Sequence, residues 1–431
     1  MNPNVSKTDP KPAPDDDESS NPLLANVPTV PTLEEALALT HNAPNADPPN
    51  NWSVYEAIEH RLSHTFEGAP NFAHALAAVL SQVRTSYLRR NPRAPDYMNH
   101  AVNANLLLHR TAARGRRYRH LASGNFPGAR PRGIICTAPV RMGRRSFATI
   151  VESVLGNKIK EVKVTGPNGF TLYAQCPALR MLWPLDQDLF GLWEGFARSF
   201  DYAAGTTYAE TRSPDTSFRE RDILPWMCAL GIAVNLGVLI VERIDWRSAD
   251  TPAAKRTWSA LAQFTRITGI PVLCLATPGA LVLSLSRLSG TAGDLTAGGL
   301  IEIEPCRNEG DSHWESVCAA LFRSTLGTIH TWAMPAWLPS AAYDLTLGYP
   351  SLLAKALSSI AYRVASCGVN TLTSEAFFSD GADALAADVP HLKTIQAIRL
   401  GVKFARFNFR EHADWLSLRE FESMHPSCYL R

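Results

Sequence analysis

The stretch Gly133-Ile134-Ile135-Cys136-Thr137-Ala138-Pro139-Val140-Arg141-Met142-Gly143-Arg144-Arg145-Ser146 decides the fold. It opens with a short apolar run of the kind found in strands buried on both faces. A turn containing Pro139 and Gly143 follows, and the pattern then becomes helical over Ser146–Leu155. Strand, glycine-bearing turn and helix start together make a P-loop. Its backbone N–H groups face phosphates, a lysine reaches them, and a Ser or Thr hydroxyl binds Mg²⁺. Aligned on Gly143, the first signature glycine is Ala138, the lysine is Arg144 and the magnesium hydroxyl is Arg145, with Ser146 one place beyond. The context is that of a nucleotide site, and Gly143 alone keeps the signature residue.

Outward from this stretch, short apolar strands are expected at Val162–Val164, Thr171–Gln175, Met181–Leu185, Val238–Val241 and Val272–Leu275. Helices are expected at Leu189–Ala203, Ile223–Leu236 and Ala253–Thr268. Such alternation predicts an α/β fold with a parallel sheet covered on both faces. A P-loop NTPase holds its Mg²⁺ through an Asp that ends an apolar strand, and the next acid orients the attacking water. Val238-Leu239-Ile240-Val241 is such a strand, and Glu242-Arg243 follow it. Arg243 cannot accept a proton, because its guanidinium stays charged. A positioned base commonly contributes about 10²- to 10⁴-fold, so hydrolysis is expected to be negligible. Arg145 and Glu242 hold the two positions that would face one Mg²⁺ ion, and their opposite charges lead us to expect an internal ion pair there. Drift in a site no longer under selection is the alternative. After the next strand, Thr277 is the candidate to read a terminal phosphate, or an ordinary strand-end threonine.

Charge is distributed unevenly along the chain. Arg84 to Arg145 contains fourteen arginines, no lysine and the single acid Asp96, a balance of +13. The remaining 28 basic and 39 acidic residues leave −11 elsewhere. A phosphate-bearing partner, or an arginine-rich helix face paired with distant acids, accounts for this asymmetry. Arg110, Arg114, Arg116, Arg117 and Arg119 lack acidic neighbours and are the candidate double-stranded DNA contacts, sequence-independent and salt-sensitive.

Five segments are expected. Residues 1–50 carry ten prolines and the run Asp15-Asp16-Asp17-Glu18, and read as a mostly disordered tail with a short helix around Leu33–Leu39. Residues 51–125 form a basic helical region, 126–310 the α/β core, 311–405 a helical lid and 406–431 a C-terminal tail. No apolar run is long enough for a membrane span. The eight cysteines stand singly, which suits a reducing cytoplasm and offers no zinc site. Histidines are dispersed, and no serine-hydrolase, zinc-protease or acidic-triad pattern stands out. No metal site is expected.

Several blocks carry a resemblance: Gly205-Thr206-Thr207-Tyr208, the strand Gly237 to Asp245, Gly269-Ile270-Pro271-Val272 leading to Ala276-Thr277-Pro278, Tyr343 to Pro350 with Leu353, Lys355, Ala361 and Arg363, and Pro390 to Gly401. In order and spacing, from about Trp52 to Gly401, the chain resembles the TnsC/TniB regulators of DNA transposition. The resemblance implies a AAA+-type P-loop core with a helical N-terminal entry region and a helical C-terminal lid. It implies ATP or ADP as the nucleotide, assembly on DNA in a bacterial, nucleoid-associated setting, and a link between a TniQ/TnsD-like targeting protein and the transposase. The family's neighbour-reaching arginine segment corresponds here to Ser286-Arg287-Leu288-Ser289-Gly290. With its Walker positions replaced, the chain is expected to be an adaptor that hydrolyses little or no ATP. The alternatives are an active DNA-stimulated ATPase with unusual ligands, and a degenerate partner of an intact AAA+ ATPase, by self-association or mixed assembly.

Overall fold

The computed structural model describes residues 21–42, 51–108, 128–166, 169–213, 218–330, 332–368, 371–402 and 409–424. Five strands form the central sheet: β1 (Gly133–Thr137), β2 (Ala178–Leu182), β3 (Val238–Ile244), β4 (Val272–Ala276) and β5 (Gly299–Glu302). All neighbours are parallel, and the order across the sheet is β2-β3-β4-β1-β5. Every residue of β1 and β4 is buried, which is why both read as unbroken apolar runs.

Alternate side chains of these strands feed two cores. Ile135, Leu239, Val241 and Cys274 pack with Trp193, Phe196 and Phe264 from the helices Leu189–Ala204 and Pro252–Thr268. Ile134, Cys136, Ile240 and Leu273 point the other way, against Leu76, Phe147 and Val151 from the helices Pro70–Arg89 and Arg144–Leu155. The period of two along each strand thus decides which helix layer each residue holds. Helix ends follow local chemistry. Thr251 caps the Pro252–Thr268 helix by accepting from the Ala254 N–H, and Gly269 closes it in the left-handed region at φ +66°. This is the α/β fold with a parallel sheet covered on both faces that the sequence leads one to expect.

A third core lies in the helical C-terminal region. Trp314, Leu321, Leu338, Leu357 and Phe377 come from the helices Ser312–Ser324, Leu338–Thr346, Pro350–Cys367 and Ser374–Ala384. Ile58 of the N-terminal helix Val54–His64 joins them, so this helix packs with the lid while Pro70–Arg89 packs on the sheet. Among the described residues, no helix is long and apolar enough to cross a membrane.

Three sheet expectations change. The segments expected as strands at Val162–Val164 and Thr171–Gln175 pair with each other as an antiparallel hairpin, Lys160–Gly166 with Gly169–Gln175, outside the main sheet. Alternation gives one apolar face, and a hairpin satisfies it locally as well as a sheet would. The strand expected at Met181–Leu185 lies earlier, at Ala178–Leu182. β5 went unforeseen, because it is short, starts at Gly299 and has no fully buried residue.

The chain then returns to the sheet. Phe409–Trp415 and the helix Leu418–Met424 bury Trp415, Leu416, Phe421 and Met424 against the second core. The Leu418 N–H donates to Glu302 Oε1 at 2.6 Å, and the Tyr349 hydroxyl donates to the Trp415 carbonyl. Part of the sequence read as a tail therefore forms a packed strap.

Candidate nucleotide site

The loop after β1 is shaped by three backbone commitments. The Ala138 N–H donates to the Ala276 carbonyl at 3.0 Å, so the first signature position extends the sheet. The Val140 N–H donates to the Asp414 carbonyl at 2.8 Å, and the Arg141 carbonyl accepts from the Ser351 N–H at 3.1 Å. Arg141 sits at φ +68° and Gly143 at φ +84°. Those angles turn the chain into the Arg144–Leu155 helix. A Cβ at Gly143 would lie 2.6 Å from Phe66 Cε2, so glycine is required for conformation and for space. Among the described residues, nothing accepts from the N–H groups of Arg144, Arg145 or Ser146. These first-turn donors carry the positive end of the helix dipole.

Arg144, at the lysine position, is mostly buried and turned onto the strand ends. Its Nη2 meets Asp245 Oδ1 at 3.1 Å, and its Nη1 donates to the Ile244 and Leu275 carbonyls, each at 3.4 Å. Asp245 stands there because β3 carries a bulge. Val241 pairs with Cys274 and Ile244 with Ala276, so Glu242 and Arg243 together oppose Leu275. Arg243 takes up the extra length at φ +60°. The acid that follows β3 beside the loop is Asp245, three residues beyond Glu242, the residue expected at the metal position, and two beyond Arg243, expected at the base position.

Glu242 is buried, and the expected ion pair with Arg145 does not form. Arg180 of β2 takes the carboxylate instead: its Nη2 donates to Oε1 at 3.0 Å and to Oε2 at 2.9 Å. Arg180 Nη1 also reaches Glu152 Oε2 at 3.4 Å, and Nη2 reaches the backbone carbonyl of Arg145 at 3.5 Å. Arg145 contributes a carbonyl to this cluster, and its side chain is exposed. Parallel pairing of Leu182 with Glu242 places Arg180 beside Glu242 on the adjacent strand, a proximity that no sequence motif encodes.

Thr277 lies where it was expected, fully buried at the end of β4. It caps the following Pro278–Leu283 helix by accepting from the Ala280 N–H at 3.1 Å, and it donates to Asp414 Oδ1 at 2.5 Å. The same carboxylate oxygen accepts from the Trp246 N–H at 2.7 Å. Burial pushes the Asp414 carboxyl up, opposed by the Thr277 and Trp246 hydrogen bonds, while Asp245 raises it and Arg144 lowers it. Sequence reasoning missed Asp414, Asp245 and Arg180.

Beside the loop lies a cavity of about 170 Å³, lined by Phe66, Phe72, Met142, Gly143, Ser146 and Ala354 among others. Its walls are mainly apolar, with Glu67, Glu304 and His313 also lining it, and Gly143 and Ser146 bring it up to the start of the helix. The residues do not fit a magnesium ion. Arg145 has no hydroxyl, Asp245 and Glu242 each face a guanidinium, and no group of three metal-ligating side chains occurs among the described residues. Asp388, buried behind the loop, pairs with Arg141 at 3.2 Å and with Lys355 of the lid at 2.8 Å. Arg287 is exposed at the end of a short 3₁₀ turn.

Arg110, Arg114, Arg116, Arg117 and Arg119 lie outside the described residues. The basic residues flanking them are described. Arg89, Arg93 and Arg130 are exposed. Burial lowers the Arg132 pKa to about 10, helped by the charges of Arg90, Arg89 and Arg130.

The chain matches no family model and no curated protein sequence. Among solved structures it is similar to the ORC2 protein of Aeropyrum pernix in its ADPNP–ADP complexes, with 11% identity over 74% of this chain and 79% of that one, at a TM-score of 0.41. The ADP form of the same protein gives 13% identity, 75% and 79% coverage and a TM-score of 0.37. A Walker-type ATPase of Pyrococcus abyssi gives 11% identity over 75% of this chain and 88% of that one, at 0.39.

Proposed function

We propose that the chain is a AAA+-type adaptor of DNA transposition that holds a nucleotide without hydrolysing it. It binds double-stranded DNA through its arginine-rich segment and joins a TniQ/TnsD-like targeting protein to a transposase. The observation that carries the loss of hydrolysis is the engagement of both β3 carboxylates by arginine, Asp245 by Arg144 and Glu242 by Arg180. Phosphoryl transfer to water relies on a metal to neutralise charge and a group to orient the nucleophile. Here Glu242 is held in a buried pair by Arg180, and Asp245 meets the Arg144 guanidinium in place of a metal ion.

Nucleotide binding draws support from the first-turn N–H groups of the Arg144–Leu155 helix and the mainly apolar cavity at its start. Phosphate oxygens would meet the backbone of Arg144, Arg145 and Ser146, with Arg144 adding charge, and a base would lie against Phe66 and Met142. The adaptor role draws on the +13 segment and on the ordered resemblance from Trp52 to Gly401.

Two measurements on the full chain test this reading. ATP turnover, with and without duplex DNA, is expected at background. It should remain there in the double variant Arg144→Lys, Arg145→Thr, which restores two signature residues. Turnover that disappears in Arg144→Ala would instead make the chain a working ATPase. Duplex binding should weaken linearly in log K against log salt, and Arg114→Ala should make that slope about 1 shallower. Binding that ignores salt rules out the DNA contact.

A further inference from the structure

The strap Phe409–Trp415 crosses the C-terminal edge of the sheet, against the segments that follow β1, β3 and β4. Three groups define that corner. The Thr277 hydroxyl closes β4, the Val140 N–H opens the loop, and the Trp246 N–H follows β3. All three donate to the strap residue Asp414. Thr277 and Trp246 meet its Oδ1 at 2.5 and 2.7 Å, and Val140 meets its carbonyl at 2.8 Å. A carboxylate held by a hydroxyl and an N–H, with a guanidinium nearby, has the charge and hydrogen-bonding demand of a phosphate oxygen. The N–H groups of Arg144, Arg145 and Ser146, one turn away, remain without a partner among the described residues.

From this division of one loop we infer that Asp414 is an internal stand-in for a terminal phosphate and makes the site selective for a nucleoside diphosphate over a triphosphate. The inference rests on the nucleotide-binding reading above and adds its specificity. A third phosphate would have to displace the carboxylate or share its donors at like charge. The strap resists displacement because it is held on both sides of Asp414. Ala413 packs against Gly279, where a Cβ would come within 2.8 Å of the Ala413 carbonyl oxygen. Trp415 accepts from the Tyr349 hydroxyl and stacks on His391, with ring centroids 4.7 Å apart and 13° between planes.

The test is a set of thermal-unfolding titrations of the full chain with ADP and with ATP, both in excess EDTA. Ligand that binds only the folded state raises stability with the logarithm of its concentration over its Kd, so at saturating concentration a tenfold tighter ligand adds about 1.4 kcal/mol. ADP should bind at least tenfold more tightly than ATP, and Asp414→Ala should narrow that gap by gaining ATP affinity while keeping ADP. Equal response of the wild-type chain to both nucleotides overturns the inference and leaves nucleotide binding standing. No response to either nucleotide, in wild type and Asp414→Ala alike, overturns both. The wild-type ratio decides even where the variant fails to fold.

Discussion

The two carboxylates at the end of β3 stand three residues apart, and each faces an arginine, yet their surroundings differ. The Glu242 side chain is 7% exposed and its partner Arg180 is 18% exposed. Asp245 is 45% exposed, although Arg144 is only 14% exposed. The first pair is part of the buried layer beneath the sheet edge. The second is a contact at the rim, with water ready to replace the partner. The same pairing of acid with arginine is therefore structural at one position and exchangeable at the other.

Arg180→Ala should have the largest effect. It strands Glu242 without its guanidinium, and loss of one partner of a buried pair costs about 3–5 kcal/mol in urea unfolding. Adding Glu242→Gln should recover part of that loss, and a double variant no better than the single one would deny the pairing its role. Arg144→Ala should cost less, about 1 kcal/mol, since Asp245 is already solvated. A penalty equal to that of Arg180→Ala would erase the contrast between rim and interior.

A smaller effect concerns pH at the far end of the sheet. Burial pushes the Glu302 carboxyl up to about 7, against the lowering hydrogen bond from Leu418 and with Glu304, Glu422 and Glu420 adding to the rise. The folded chain then binds more protons than the unfolded chain between the ordinary value of 4.5 and about 7. The resulting stability is fully present below that window and is lost as pH rises through it. Glu302→Gln should flatten this part of the stability profile, measured by denaturant midpoints at steps of pH. An unchanged slope would place the proton elsewhere.

The strap explains why the site was only half legible in the sequence. The positions of Gly143, Arg144 and Thr277 could be read, because a glycine-bearing turn and a strand end are local patterns. Asp414 lies 137 residues from Thr277, and Arg180 lies 62 from Glu242, so only the folded pairing brings them together. Asp245 was in plain view after Ile244, but the bulge that carries it to Arg144 is a property of strand register. β1, β3 and β4 were legible as apolar runs because both faces are buried. β5 was not, since a short half-exposed strand carries little signal, and the two strands of the Lys160–Gln175 hairpin were legible while their pairing was not, because alternation does not name a partner.

Asp388 has one more consequence. A single carboxylate grips a cation from the loop, Arg141, and a cation from the lid, Lys355. The Ser351 N–H clamps the same loop through the Arg141 carbonyl. Core and lid therefore meet at an elbow pinned by Asp388. Any rotation of the lid against the core would have to loosen the hold of Asp388 on Arg141, so the loop takes its shape from the lid as much as from the strand before it.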